Sequence, residues 1–268
     1  MKRFIESLVL LFLTICLFPV ISFAEQANGT RGTGTIQFEK GSGDDNAIYD
    51  PERPEVAVDP GESPKTTGAL RIDFVPTLNF SANSIKKGKN STVYSANAQL
   101  FHDETPARGS FIQISDYRGN AGGWTLQMRQ ETQFSNHETL NNMLNGAVIS
   151  FDKSWASSAW PNTTVPNVQK DVIKIENIGD TYNLAEAQKD TGEGSWAIVF
   201  GASQDNPKSM PSTLKPKVDK KGNPVTDQAF ENKPIQENSA ISIEIPNETK
   251  IDPVTYQTEI TWILSELP

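Results

Sequence analysis

The sequence predicts an all-β protein: an antiparallel β-sandwich-like domain (here a reading of pattern alone) with short loops, behind a disordered acidic N-terminal linker. The first observation is alternation. Apolar and polar residues trade places with period two in one short run after another, which turns one face of each run inward. The second is punctuation, because turn formers separate the runs, as in the Gly-containing stretches 86–90, 118–123 and 190–194. The third is the want of a long 3.6-residue apolar period. The one helical candidate, 138–144, is weakened by Asn141, Asn142 and Asn145, whose side chains compete for the backbone.

Taken in order, residues 1–24 have the layout of a signal peptide. Lys2 and Arg3 lead an apolar run from Leu8 to Phe18, and Ser22, Phe23 and Ala24 form a small-x-small cleavage site. That run is too short to span a bilayer, so no transmembrane segment is expected in the mature chain. Cys16, the single cysteine, lies inside the signal, and Ile15 before it is too large for a lipoprotein cleavage site. The mature protein then uses neither disulfides nor thiol chemistry. Residues 25–40 hold a short strand candidate at 33–39, with Ile36 and Phe38 on one face. Residues 41–67 are rich in Asp, Glu, Pro and Gly and read as an extended linker, with too little apolar area to offset the entropy of ordering. Residues 68–268 read as one domain, with strands expected at 69–74, 93–101, 110–115, 124–130, 146–151, 172–175, 195–200, 240–245 and 255–264. The Pro- and Lys-rich segment 205–233 is expected to be a surface loop or an embellishment of one sheet edge.

Charge narrows the function. The 268-residue chain carries a formal −9, and the signal holds Lys2, Arg3 and Glu6, so cleavage leaves −10. A nucleic-acid binder would show the opposite balance. The same balance argues against simple electrostatic capture by an anionic polymer, so adhesion to such a polymer would rest on stacking and hydrogen bonding. Catalytic signatures are lacking. His102 and His137 stand apart from any metal-ligand spacing, and neither a nucleophile elbow nor a phosphate-cradling loop occurs. The His102, Asp103, Glu104 group precedes Thr105 and Pro106 and reads as a polar turn, while Asp44, Asp45 and Asn46 lack the spacing of a calcium loop. No enzyme activity, metal or cofactor is expected.

Aromatic residues are the better lead. Trp124, Leu126 and Met128 share one strand face, and Trp262 and Leu264 share another. Such residues either form core or leave an indole face open for stacking on a sugar, and the pattern admits both. Trp155 and Trp160 sit among Ser, Ala and Pro in turn-like surroundings, as a secondary candidate for an exposed glycan or partner contact.

The stretch with Tyr256, Ile260, Thr261, Trp262, Leu264 and Pro268 resembles the distal motif of WxL cell-wall-binding domains of low-GC Gram-positive bacteria, Tyr-x-x-x-Leu-Thr-Trp-x-Leu-x-x-x-Pro, with Ile260 in place of the first Leu. Asp116, Tyr117, Arg118 and Gly119, followed by Gly123, Trp124, Thr125 and Leu126, resemble the proximal motif. The run from Leu70 to Pro76 is similar to the opening strand, so the resemblance covers residues 68–268. It implies a secreted cell-surface protein held non-covalently on the wall, with peptidoglycan as ligand. It further implies assembly with other WxL proteins and a companion membrane-anchored protein, and through that complex contact with host extracellular matrix. The wall-binding candidates it singles out are Trp124, Thr125, Leu126, Tyr256, Thr261, Trp262 and Leu264. The alternatives are an interaction subunit held on the surface by a partner without touching the wall, and a secreted glycan hydrolase.

Overall fold

A computed structural model describes residues 47–85, 90–119, 122–159 and 164–267. The signal peptide, the strand candidate at 33–39, the group Asp44 to Asn46, and Trp160 lie outside the described residues. In chain order the strands are β1 (Ile48–Asp50), β2 (Arg53–Val58), β3 (Leu70–Phe74), β4 (Ser91–Asn97), β5 (Ser110–Asp116) and β6 (Trp124–Gln130). There follow β7 (Val148–Phe151), β8 (Ser154–Ser157), β9 (Asn167–Val168), β10 (Ile173–Lys174), β11 (Thr181–Ala187) and β12 (Gly194–Phe200). The last are β13 (Leu214–Pro216), β14 (Thr226–Asp227), β15 (Lys233–Pro234), β16 (Gln236–Pro246) and β17 (Ile260–Glu266). One 3-10 turn at Gln228–Phe230 is the sole helix among the described residues. The helical candidate at 138–144 is a set of turns, held by Asn136, Thr139 and Asn141 through their side chains.

Three sheets enclose the main core, and every pairing is antiparallel. Their orders are β3-β5-β12-β8, then β10-β7-β16-β13 with β4 also on β16, then β17-β6-β11-β9. Alternation places the layers. From β12, Trp196, Ile198 and Phe200 face the main core beside Ile112 and Ile114 of β5, while Ala197 and Val199 face outward. A bulge after Ile72 in β3 turns Phe74 to that outer side, where it packs at 4.8 Å on Phe111. Ile241, Ile243 and Ile245 of the long strand β16 supply the opposite wall of the main core, with Ile149 and Phe151 of β7.

The outer apolar face is covered by the β1–β2 hairpin, whose Ile48 and Val58 pack on it. This corrects the linker expected at 41–67 for its described part, residues 47–67. Polar burial rather than apolar area fixes the hairpin. Asp50, fully buried, accepts from Arg108 Nε at 2.8 Å and Nη2 at 2.9 Å, and Arg53 Nε adds a third contact at 2.9 Å. Glu52 pairs with Arg108 Nη1 at 3.1 Å and accepts from the Ser203 backbone N–H at 2.7 Å. Charges so buried are held in place by their partners. Segment 205–233 edges the fold as expected, adding β13 to β16 and the small β14–β15 ribbon.

Candidate functional site

The two Trp-x-Leu strands lie side by side. β17 pairs with β6 so that Trp262 stands opposite Met128, Leu264 opposite Leu126 and Glu266 opposite Trp124. Residues opposite one another share a face, so both motifs aim their apolar side chains at the main core. Arg118 locks the arrangement. It clasps the Asp116 carboxylate at 2.9 and 2.7 Å, donates to the Gly123 carbonyl at 2.8 Å and reaches Glu266 at 3.1 Å.

The tryptophans differ in kind. Trp124 is fully buried, and its indole N–H donates to the Gly192 carbonyl at 3.0 Å. A Cβ on Gly192, whose φ is +76°, would lie 2.3 Å from Ala187 Cβ and 2.7 Å from Trp124 Nε1, so only glycine fits there. Trp196 and Trp155 are likewise buried, with N–H groups on Glu193 and Gly201 carbonyls. Trp155 packs in the outer apolar layer with Phe74, Phe101 and Phe111, which corrects its expected exposure: Ser and Ala neighbours on a buried strand imitated a loop. Trp262 alone among the described tryptophans is partly exposed, and its indole N–H has no hydrogen-bond partner among the described residues.

Trp262 lines a groove of about 1590 Å³ between segments 75–85 and 251–262. Ile149, Ile243, Ile245 and Phe134 supply apolar lining, and Asn79, Ser81, Asn83, Gln257 and Thr258 supply amides and hydroxyls. The volume exceeds the roughly 300–1,000 Å³ of small-ligand sites and suits a stretch of polymer. Among the described residues, Lys65 and Asp252 are the only charged ones in the lining. Asp252 is engaged, since hydrogen bonds from the Thr139 hydroxyl and the Asn141 side chain and backbone hold its carboxyl below the usual range.

Tyr256 is partly buried in the same groove, though not on a strand. β17 begins at Ile260, and the alternation expected from 255 fails because the Tyr256 hydroxyl staples a loop, accepting from Asp252 N–H at 3.0 Å and donating to Asn141 C=O at 2.7 Å. Of the remaining candidates, Thr261 lines the groove edge while its hydroxyl donates to Glu131 at 2.5 Å. Leu126 is fully buried core, Leu264 packs partly buried against it, and Thr125 occupies the opposite sheet face beside Glu186 and Ser265. The groove therefore collects Tyr256, Thr261 and Trp262 and leaves out the proximal motif. Phe80, Phe134 and the three isoleucines were missed by sequence reasoning, because they meet only across distant segments. The His102–Glu104 group is a turn, with Asp103 accepting from Asp59 and Thr105 N–H groups at 2.7 Å each and His102 stacked on Phe230.

Fold and site together define an antiparallel all-β domain built on two paired Trp-x-Leu strands. The family model described as WxL domain surface cell wall-binding matches residues 25–268. The chain belongs to this family and is a cell-wall-binding protein of the cell surface. No curated protein and no solved structure matches it.

Proposed function

We propose that the mature protein is secreted and attaches non-covalently to peptidoglycan through the groove under Trp262. The observation carrying this reading is the contrast between tryptophans: Trp262 keeps a partly open ring and, among the described residues, an unpartnered N–H over a polymer-sized groove whose described lining is nearly uncharged. An indole so placed stacks on the C–H face of a sugar while its N–H finds an oxygen. The hydrogen bonds that tie the Tyr256 loop to Asp252 and Asn141 lower the ordering cost of binding. Weak single sites suffice on a polymeric wall, where repetition raises apparent affinity roughly 10²–10⁴-fold. Purified residues 25–268 are expected to co-sediment with peptidoglycan stripped of teichoic acid and protein. Binding should change little between low and high salt, because the protein is acidic and the charges of the described groove lining, Lys65 and Asp252, are balanced. A steep fall with salt, or no binding, defeats the reading.

One observation favours a second reading. β17 is an edge strand, and because Glu131 N–H bonds Glu259 C=O at 2.9 Å, the alternate backbone groups of Ile260, Trp262 and Leu264 face away from β6. Among the described residues no strand covers that edge. An interaction subunit would use it to add a strand from another WxL protein or a companion membrane-anchored protein, a complex that would in turn meet host matrix. That reading predicts wall association only when the partner is present. Among the described residues the groove brings no pair of carboxylates together, so it gives catalysis no support.

A further inference from the structure

A smaller pocket of about 200 Å³ lies away from the groove, between the β1–β2 hairpin and the outer face of the β3-β5-β12-β8 sheet. Tyr49, Glu55, Tyr117, Ser157, Ser195 and Ala197 line it. Its hydrogen-bond polarity is determined from within. The Asp73 carboxylate, ion-paired to Arg71 Nε at 2.6 Å, accepts the Ser115 hydroxyl at 2.6 Å. Ser115 thus spends its proton on Asp73, so across their 2.7 Å contact Ser195 must donate to Ser115. By the same logic Tyr117 must donate to Ser195 across 2.9 Å. The chain therefore ends at the Tyr117 oxygen, whose proton is used and whose lone pairs remain. At the back, Ser157 is 9 % exposed and its hydroxyl has no hydrogen bond among the described residues.

We infer that this pocket is a second binding site, for a single neutral sugar ring. The volume lies below the roughly 300–1,000 Å³ that holds drug-sized ligands and fits one ring. Oxygen acceptors at Tyr117 and Ser195 suit a ligand rich in hydroxyl donors, and two tyrosine rings suit its C–H faces. Neutrality follows from the buried surroundings. Asp50 is spent on Arg108 and Arg53 and Asp73 on Arg71, which leaves Glu55, exposed to solvent, as the remaining lining carboxylate, and the Arg71 guanidinium lies 5.4 Å from the Tyr117 ring centroid, which disfavours a cation. The inference stands apart from the groove.

The test is titration of residues 25–268 with N-acetylglucosamine and with glucose, followed by ¹H–¹⁵N NMR, with tetramethylammonium as the cationic control. At least one of the two sugars should shift resonances of Tyr49, Tyr117, Ser157 and Ser195. Tyr117→Phe, which keeps the ring, should weaken binding about five-fold, the ~1 kcal/mol of one neutral hydrogen bond. Ser157→Ala should weaken it comparably, and Trp262→Ala should leave it unchanged. The inference is overturned if neither sugar shifts these residues, if tetramethylammonium shifts them instead, or if the Tyr117 and Ser157 variants both bind as well as wild type.

Discussion

Replacing Arg108 with Met should release the N-terminal hairpin. Wild-type Arg108 is 4 % exposed and makes bonds of 2.8 and 2.9 Å to Asp50 and 3.1 Å to Glu52. Removing one member of a buried ionic cluster costs about 3–5 kcal/mol, since the survivors are left charged and unpaired. Asp50 retains Arg53 and the Glu52 N–H, which puts the loss near the lower end. For a domain of this size, about 3 kcal/mol lowers Tm by about 6–12 °C. Acidity adds a signature. Burial pushes the Asp50 carboxyl up, but hydrogen bonds from Arg108, the Glu52 N–H and Arg53 outweigh it and leave its pKa below the ordinary 3.8. A depressed folded-state pKa gives stability that is full above the unfolded value near 3.8 and is lost as pH falls below it. In the Met variant Asp50 loses its main partner and its folded pKa rises, so the stability it loses on acidification shrinks and the gap between variant and wild type should narrow as pH falls below the unfolded value. Urea melts across pH, with limited proteolysis at 47–58, read both effects. Wild-type stability and an intact hairpin in Arg108→Met would refute the argument.

Trp124→Ala should cost about 3–5 kcal/mol in urea melts, losing wall binding only together with the fold. Gly192→Ala forces a Cβ into Ala187 and Trp124 at positive φ, so its thermal melt should fall well below wild type, by roughly 1–3 kcal/mol of strain. Tyr256→Phe removes the hydroxyl that bridges Asp252 and Asn141; amide exchange should quicken through 251–258 while global stability drops by only about 1 kcal/mol.

Periodicity made much of this fold legible. Trp124 to Gln130 alternates cleanly, and β6 has those bounds because one face is buried and the other is not. The same rule overlooked β11, where Asn183 and Glu186 interrupt an apolar face that tertiary contact nonetheless buries at Leu184, Ala185 and Ala187. The hairpin was invisible for a different reason. Composition counts apolar residues, whereas Asp50 and Glu52 are buried by an arginine more than fifty residues away. At the candidate site, the motifs marked β6 and β17, yet nothing local distinguishes the sealed Trp124 from the partly open Trp262. That difference comes from Gly192, which closes over one indole, and from the edge position of β17, which leaves the other partly uncovered.

The most direct measurement is a pull-down of Trp262→Ala on stripped peptidoglycan, beside wild type, with a thermal melt of each. Trp262 is partly exposed and meets Phe151 edge-on at 6.5 Å, so its loss should cost less stability than that of Trp124. The groove reading predicts a variant that remains folded and no longer sediments with the wall. A folded variant that sediments as well as wild type would contradict it.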